Sequence, residues 1–103
     1  MGKEEAVKIV QKFSDIVKEY FPVKRIILFG SFSRNEQKLY SDIDVAVVLN
    51  EIKDDYLELN AKLFSMGIEI DSRIEPILFE EGSDPSGFLE EINRTGIIVY
   101  QNN

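Results

Sequence analysis

The feature that most constrains this chain is an ordered motif that lies between two apolar, β-branched segments. The first segment ends at Gly30-Ser31, and the second begins with Asp42-Ile43-Asp44 after a spacer of ten residues. Segments of this kind favour strands, and a carboxylate beside a buried strand is costly unless another group compensates it. The motif therefore predicts two strands whose neighbouring ends form a polar site with two acidic side chains.

The rest of the chain alternates between helical and extended patterns. Hydrophobic periodicity, turn residues and capping residues predict helices over residues 3–21, 53–66 and 88–96, and strands over residues 23–30, 42–50, 68–81 and 97–100. The segment 68–81 forms one strand or two short ones in this prediction. Gly67 is predicted to close the second helix, and Pro76 to lie near a sheet edge or an irregularity. Residues 31–37 are predicted to form one or two helical turns.

A length of 103 residues suits one domain with one core, spanning residues 1–103. Because helices and strands intermix along the chain, we expect α/β or α+β layering. The predicted architecture is a mixed sheet of about four strands flanked by helices.

The composition excludes several kinds of chemistry. The chain contains no Cys and no His, which removes disulfides, thiolate nucleophiles and the usual general base and metal ligand near neutral pH. The net charge is −7, whereas a surface that binds nucleic acid directly is normally basic, so such binding is not expected. No apolar run reaches the ~18 residues of a membrane span, and the lack of Cys fits a cytoplasmic protein.

Asp42 and Asp44 are candidate metal ligands. Residues two apart on a strand point to the same face, about 7 Å apart, so their carboxylates repel each other. A divalent cation between them converts this repulsion into binding, and oxygen ligands suit Mg²⁺ or Mn²⁺, which also recruit substrate phosphates. Two such ions about 4 Å apart would activate an attacking hydroxyl and stabilise a leaving pyrophosphate.

The Gly30-Ser31 turn is a candidate phosphate cradle. Gly30 permits a tight turn at the end of the first strand, where backbone N–H groups and the Ser31 hydroxyl would face an anion. Arg34 lies three residues beyond Ser31, on the same side of a helical segment, and could reach a phosphate. The chain has no G-x-x-x-x-G-K-[ST] motif, so this cradle is not a Walker P-loop.

The segment GSFSRNEQKLYSDID resembles the signature of the DNA polymerase β-like nucleotidyltransferase superfamily, in which Gly-Ser is followed after a similar spacer by Asp-x-Asp. Arg34 and Ser41 also match residues common in that signature. At this chain length the resemblance is to the minimal nucleotidyltransferases (MNT proteins), which are typically encoded beside HEPN-domain partners as toxin–antitoxin pairs. The resemblance extends from residue 4 to residue 100 and implies a nucleotidyltransferase fold.

The resemblance also implies roles for individual residues. It assigns nucleotide binding to Gly30, Ser31, Arg34 and Ser41. It assigns the catalytic and metal-binding roles to Asp42, Asp44 and a third carboxylate on the next strand. We favour Glu75, in the segment RIEPILF, over Asp71 for this third position, and Glu69 is a further candidate. The structural alternative for Glu75 is an exposed strand carboxylate paired with Arg73.

Three functions are compatible with these residues. The first is Mg²⁺-dependent transfer of a nucleoside monophosphate, in which the resemblance favours AMP from ATP over other nucleoside triphosphates. The implied acceptor is a tyrosine of a HEPN toxin, bound in a hetero-oligomer in which this chain is the antitoxin. The second is a non-catalytic antitoxin that neutralises its HEPN partner by direct binding. The third is a nucleotide-binding regulatory domain without transfer.

Two further sets of residues are predicted to have only structural roles. The neighbouring cations Lys24 and Arg25 are predicted to be a solvated pair. The phenylalanines predicted to lie in the core or in helix staples are Phe29, Phe32, Phe64, Phe79 and Phe88.

Overall fold

In a computed structural model that describes residues 1–38 and 41–102, the chain forms a mixed four-stranded sheet with helices. The helices are α1 (Lys3–Tyr20), α2 (Tyr56–Ile70) and α3 (Phe88–Thr95), and the strands are β1 (Val23–Phe29), β2 (Ile43–Leu49), β3 (Ile74–Glu80) and β4 (Ile97–Gln101). The strand order is β3-β2-β1-β4, with β1 antiparallel to both neighbours and β2 parallel to β3. The predicted α+β fold with about four strands is confirmed.

The main core lies between one face of the sheet and the helices α1 and α2. Alternate residues of β2 point into this core, and those that are buried in it are Ile43, Val45, Val47 and Leu49. A smaller cluster covers the other face, where Ala46 of β2 packs with Ile27, Phe29 and Ile92 of α3. Since strand side chains alternate between faces, a single strand contributes to both clusters.

The second helix is longer than the sequence predicted. Asp55 is its N-cap, and its side chain accepts a hydrogen bond from Glu58 N, but the helix continues through Gly67 to Ile70. Gly67 is buried, and a Cβ there would lie 2.8 Å from Cγ2 of Ile74. The glycine therefore allows α2 to pack closely against the start of β3. The helix ends where Asp71 N donates to Gly67 O (2.9 Å), so the predicted strand over 68–81 begins late.

The outer edge of β3 is blocked against further strand pairing. Asn60 Oδ1 of α2 accepts from Leu78 N (3.3 Å), and Tyr56 Oη donates to Leu78 O (2.8 Å). Pro76 lies two residues earlier on the same edge and has no N–H to offer. The expectation that Pro76 occupies an edge strand is confirmed. Occupied backbone groups of this kind protect a sheet edge from pairing with another chain.

Arg25 does not form the solvated pair that the sequence predicted. Its guanidinium makes two hydrogen bonds with the Glu81 carboxylate, at 2.7 and 2.9 Å, and its side chain is only 11% exposed. This ion pair connects β1 to the segment that follows β3. Phe64 was also placed wrongly, because it is 45% exposed on the outer side of α2. Among the described residues, no helix has the length and apolar character needed to cross a membrane.

Candidate functional site

Asp42, Asp44 and Glu75 lie together where the two parallel strands begin. The Ile43 N–H donates to Arg73 O (2.8 Å), and the register of β2 and β3 pairs Asp44 with Glu75. Paired residues on neighbouring strands share one face of a sheet. Ile43, between the two aspartates, is fully buried on the opposite face. The three carboxylates therefore share the face that points away from α1 and α2.

The carboxylates influence each other strongly. Burial raises the pKa of Asp44, the negative charge of Asp42 raises it further, and the guanidinium of Arg34 opposes the increase. A hydrogen bond with the Asp42 carboxyl raises the pKa of Glu75, and desolvation and the charges of both aspartates add to this effect. These shifts identify a concentration of negative charge that a bound cation would relieve.

Gly30 brings the turn after β1 directly against Asp44. The register of β1 and β2 pairs Phe29 with Asp44, so the turn follows immediately beside the carboxylate. Gly30 has a φ of +75°, a left-handed conformation that favours glycine. A Cβ at this position would overlap Asp44 Oδ2 and lie 3.1 Å from Asp44 Cγ. Both the backbone conformation and the close approach therefore require glycine here.

Residues 31–36 form turns, not the helical turns that the sequence predicted. Glu36 N donates to Ser31 O (2.8 Å), and Arg34 N donates to the same oxygen (3.3 Å). Asn35 adopts a positive φ of 56°, which interrupts helical winding after a single turn. Ser31, which follows the glycine, is partly buried in this loop. The segment after β1 is therefore a turn, and it is not the first turn of a helix.

Arg34 is the cation of this loop that acts on the carboxylates. The pKa of Asp44 is raised by burial and by the charge of Asp42, and the positive charge of Arg34 opposes this increase. Its ion pair with Glu36 is long (3.4 Å), and both side chains are more than half exposed. Exposed pairs of this kind stabilise little, so the guanidinium can turn toward a bound anion at small cost.

Ser41 closes the end of the spacer. Its hydroxyl oxygen accepts from Lys38 N (2.7 Å), and Ser41 N donates to Lys38 O (3.1 Å). Leu39 and Tyr40, which complete the spacer, lie outside the described residues. The hydrogen bonds of Ser41 hold the spacer where it joins β2, immediately before Asp42.

The other candidates for the third carboxylate lie elsewhere. Asp71 caps the C-terminus of α2 and binds Arg73 through hydrogen bonds of 2.9 and 2.7 Å, which hold the pKa of Asp71 below its usual range. Arg73 therefore pairs with Asp71 and not with Glu75, in contrast to the structural alternative considered for Glu75. Glu69 is exposed on α2 instead of lying on a strand.

The donor atoms at the carboxylate cluster are all oxygens, which suit Mg²⁺ or Mn²⁺. Within residues 1–38 and 41–102, no three acidic side chains converge closely enough to enclose a metal ion unaided. Mg²⁺ usually binds one or two carboxylates together with waters and substrate phosphates, and an all-protein cage is uncommon. The residues present therefore fit a divalent ion that binds together with a phosphate group.

The carboxylates lie on an open surface and not in the main groove of the molecule. That groove, of about 1050 Å³, runs between α1 and α2 on the opposite side of the sheet, with Ile16, Leu59 and Met66 in its lining. Its lining includes none of the residues at the carboxylate cluster. The groove is lined by apolar side chains and by charged ones such as Lys53 and Glu58. We assign the candidate site to the carboxylate cluster, because its three acidic side chains share one sheet face beside the turn after β1.

Phe88 is a residue of this face that the sequence analysis misplaced. It is 41% exposed, and its ring centroid lies 5.7 Å from that of Phe29 and 6.0 Å from that of Phe79. Leu89 and Ile92 are the buried residues of α3, and their spacing of three defines its inner stripe. Phe88 lies four residues before Ile92, so helical spacing places it beside that stripe, and no pattern in the sequence marks its ring as exposed.

Residues 11–103 match the protein family described as "Polymerase beta, Nucleotidyltransferase". Relatives from Methanocaldococcus jannaschii carry the name "putative protein adenylyltransferase". One is 41% identical over 70 residues, which cover 65% of this chain and 71% of the relative. Another is 42% identical over 69 residues, which cover 57% of this chain and 80% of the relative.

Solved structures share the fold. A "putative nucleotidyltransferase" from Sulfolobus solfataricus has a TM-score of 0.73 at 20% identity, covering 97% of this chain and 84% of that one. A chain of a toxin–antitoxin structure with AMP-PNP has a TM-score of 0.58 at 24% identity, covering 100% and 76%. A chain of tri-AMPylated Shewanella oneidensis HEPN toxin in complex with MNT antitoxin has a TM-score of 0.56 at 22% identity, covering 97% and 73%.

Proposed function

This chain belongs to the polymerase β nucleotidyltransferase family, and we propose that it transfers AMP from ATP to a hydroxyl group of a protein partner, with the help of divalent metal ions. The proposal depends on one observation above all: Asp42, Asp44 and Glu75 share one sheet face beside the Gly30 turn. A cluster of carboxylates beside a loop of backbone N–H groups suits a metal–triphosphate ligand.

The triphosphate would bind along the turn between β1 and β2. Backbone N–H groups at Gly30 and Ser31 offer donors, and the loosely held Arg34 offers a planar guanidinium for a phosphate. Ser41 would contribute to nucleotide binding from the other end of the spacer. Mg²⁺ or Mn²⁺ would be held by Asp42, Asp44 and Glu75, in two sites. When bound, such ions stabilise the charge that develops on the phosphoryl and leaving oxygens.

The transfer itself is a displacement at the α-phosphorus of ATP. The acceptor oxygen forms a bond to this phosphorus, and the bond to the bridging oxygen breaks, so pyrophosphate leaves with the electron pair. The proton of the acceptor hydroxyl has to be removed as the new bond forms. Glu75, which lies on β3 directly beside Asp44, is the carboxylate that would accept this proton.

A tyrosine of a HEPN-domain toxin is the acceptor that we propose, with this chain acting as the antitoxin. Support comes from the relatives named as protein adenylyltransferases and from the fold shared with an MNT antitoxin complex. The open position of the carboxylates also fits a macromolecular acceptor, because a partner protein can supply the walls that this site lacks.

Labelled ATP tests the proposal directly. The chain is incubated with Mg²⁺, α-labelled ATP and a HEPN-domain protein from the same genome, and label on that protein is measured. We expect label on a partner tyrosine with wild type and with Asp15→Asn, a matched control on the exposed surface of α1. Asp42→Asn should abolish it. If no label appears with wild type, or if Asp42→Asn labels equally well, the chain does not catalyse this transfer.

The same assay separates the candidates for the third carboxylate. Glu75→Gln removes a carboxylate of the cluster, and we expect transfer to fall by about 10²–10⁴-fold if it acts as the base. Asp71→Asn breaks the pair with Arg73, outside the cluster, and should change transfer by less than about threefold. A larger loss with Asp71→Asn than with Glu75→Gln would assign the third position to Asp71.

A second candidate function is neutralisation of the HEPN partner by contact alone. The observation that favours it is the lack of a preformed three-carboxylate metal site in the described part of the chain. Under this alternative, the double variant Asp42→Asn/Asp44→Asn still protects cells from the partner toxin. Under the catalytic proposal, the double variant binds the partner but no longer protects.

A regulatory nucleotide-binding domain is the third candidate. It shares metal-linked ATP binding with the catalytic proposal but transfers nothing. Titration of ATP with and without Mg²⁺ separates it from the contact-only function, which predicts no binding linked to the metal. The labelling assay then separates it from the transferase.

A further inference from the structure

Three phenylalanines form an aromatic cluster on the same sheet face as the carboxylates, and Phe88 is its most exposed member. Phe88, at the start of α3, makes edge-to-face contacts with Phe29 and Phe79, at interplanar angles of 86° and 67°. Phe29 is almost fully buried, whereas Phe88 keeps 41% of its area exposed. We call this group (Phe29, Phe79 and Phe88) the aromatic ledge.

The aromatic ledge adjoins the carboxylate cluster. Phe29 is the direct β1 partner of Asp44, and the two side chains share a face. On β3, Phe79 lies on the same face as Glu75, four residues farther along the strand. Between them, Ala46 is fully buried where it packs with Ile92 of α3, and its strand partner Ile77 is partly buried. The aromatic ledge therefore lies beside the carboxylate cluster, on the side that faces away from the N-terminal ends of β2 and β3.

The position of Phe88 is fixed by its own segment. Gly87 adopts a φ of +77° just before α3, and the Asp84 carboxylate accepts hydrogen bonds from Leu89 N and Glu90 N, both at 2.9 Å. This cap already occupies the helix N-terminus, so that terminus is not available to a phosphate. What the segment presents to the site is the aromatic ring, held in place before any ligand binds.

The chemistry of the proposed transfer indicates which part of the substrate would contact the aromatic ledge. In a displacement at phosphorus, the acceptor and the leaving pyrophosphate lie on opposite sides of the reacting atom. The pyrophosphate would lie on the Gly30 side, on β1, and the acceptor hydroxyl on the Glu75 side, on β3. The ribose and base must leave in a third direction, and Phe88, whose ring contacts Phe29 beside Asp44, lies in one such direction. This is the direction in which the same face offers an aromatic surface.

We propose that the aromatic ledge is a nucleobase subsite, in which the base of the donor nucleotide stacks against Phe88. The assignment rests on the proposed transferase function, and it names Phe88 as a residue that binds substrate without taking part in the chemistry. Stacking on an aromatic side chain accepts any base, because every base has a π-face, and it favours the larger purines.

Calorimetric titration of two ligands tests this subsite. ATP and inorganic tripolyphosphate, each with Mg²⁺, are titrated into wild type, Phe88→Ala and Phe64→Ala. Phe64 is the matched control, because it is equally exposed (45%) but lies on α2, beyond the opposite face of the sheet. We expect Phe88→Ala to weaken ATP binding by about tenfold and to leave tripolyphosphate binding unchanged. Phe64→Ala should alter neither.

Other outcomes overturn the proposal and separate it from the transferase function. Unchanged ATP binding in Phe88→Ala removes the base subsite but leaves the transferase function standing. Equal weakening of both ligands shows that the substitution distorted the phosphate site, and also removes the subsite. If wild type does not bind ATP, both proposals fail. Should Phe88→Ala unfold, Phe88→Leu keeps apolar volume without an aromatic face and should weaken ATP binding selectively by at least about threefold.

Discussion

The two faces of the sheet are built from the same strands but satisfy opposite requirements. On the face toward α1 and α2, Ile43 and Val45 of β2 are fully buried in the main core. On the other face, Asp42 and Asp44 of the same segment hold like charges that raise the pKa values around them. Along this one segment, residues that stabilise the fold by burial alternate with residues whose like charges repel each other. Stability and chemistry are therefore separable by substitution at neighbouring residues.

The largest effect should follow Asp44→Asn, on the charged face. Transfer of AMP is expected to fall by about 10⁴-fold, or ~5.5 kcal/mol in the barrier, because a ligand for the metal–triphosphate complex is lost. The free energy of unfolding should stay equal or rise, since the ionised Asp44 is disfavoured by burial and by Asp42. Initial rates and urea unfolding of the same sample check both parts. A stability loss that matches the loss of activity would contradict the separation of the faces.

A large effect of the opposite kind is expected for Phe13→Ala, on the helical face. Phe13 of α1 is fully buried, so its truncation should lower the free energy of unfolding by about 3–5 kcal/mol. Transfer by the molecules that remain folded should change by less than about twofold. Urea unfolding followed by circular dichroism measures the first effect. Ile16→Ala, on the same helix but 40% exposed, is the control and should cost less than about 1 kcal/mol.

A smaller effect should follow Gly67→Ala, where α2 meets β3. Replacing a glycine inside a helix normally stabilises by up to ~1 kcal/mol. Here the new Cβ would lie 2.8 Å from Cγ2 of Ile74, and overpacking costs about 1–3 kcal/mol. We therefore expect a net loss of about 1 kcal/mol in the free energy of unfolding. A gain in stability would show that α2 can shift away from β3, and that the helical face is less tightly packed than we infer.

The smallest effect concerns Glu81 and pH. The guanidinium of Arg25 holds the pKa of Glu81 below its usual value of 4.5, so the pair stabilises the fold above that pH and stops doing so as the pH falls through the lower, folded value. Because the Glu81 side chain is 36% exposed, solvent screening limits the contribution to about 1 kcal/mol or less. Urea unfolding at pH 7 and pH 3 should show a smaller pH-dependent loss for Glu81→Gln than for wild type.

The parts of the site that are local in sequence could be predicted, and the parts that depend on distant contacts could not. The strand period alone places Asp42 and Asp44 on one face, and Gly30 announces the turn that leads to them. The position of Glu75 depends on the register of β2 with β3, which no short pattern in the sequence encodes. Its place just before an apolar run, like that of Asp42 and Asp44, and the resemblance to a known family favoured it over Asp71.

Two errors have the same physical origin. Gly67 was interpreted as a helix end because glycine often has that role, but the close approach of Ile74 selects it for packing. Arg25 was interpreted as solvated because its partner, Glu81, lies 56 residues away in the sequence. Local propensity describes what a residue permits, whereas tertiary neighbours decide which of its properties is used.

The occupied edge of β3 has a consequence for how copies of this chain can associate. A fibre that grows by strand pairing between chains needs two free sheet edges on each chain, one for the preceding chain and one for the next. Tyr56 and Asn60 occupy backbone groups on one border, and Pro76 contributes no donor there. Any pairing through the remaining border, at β4, would end after two chains. These side chains of α2 would therefore stop open-ended polymerisation. They do so at the sheet edge, so the face with the carboxylate cluster stays open.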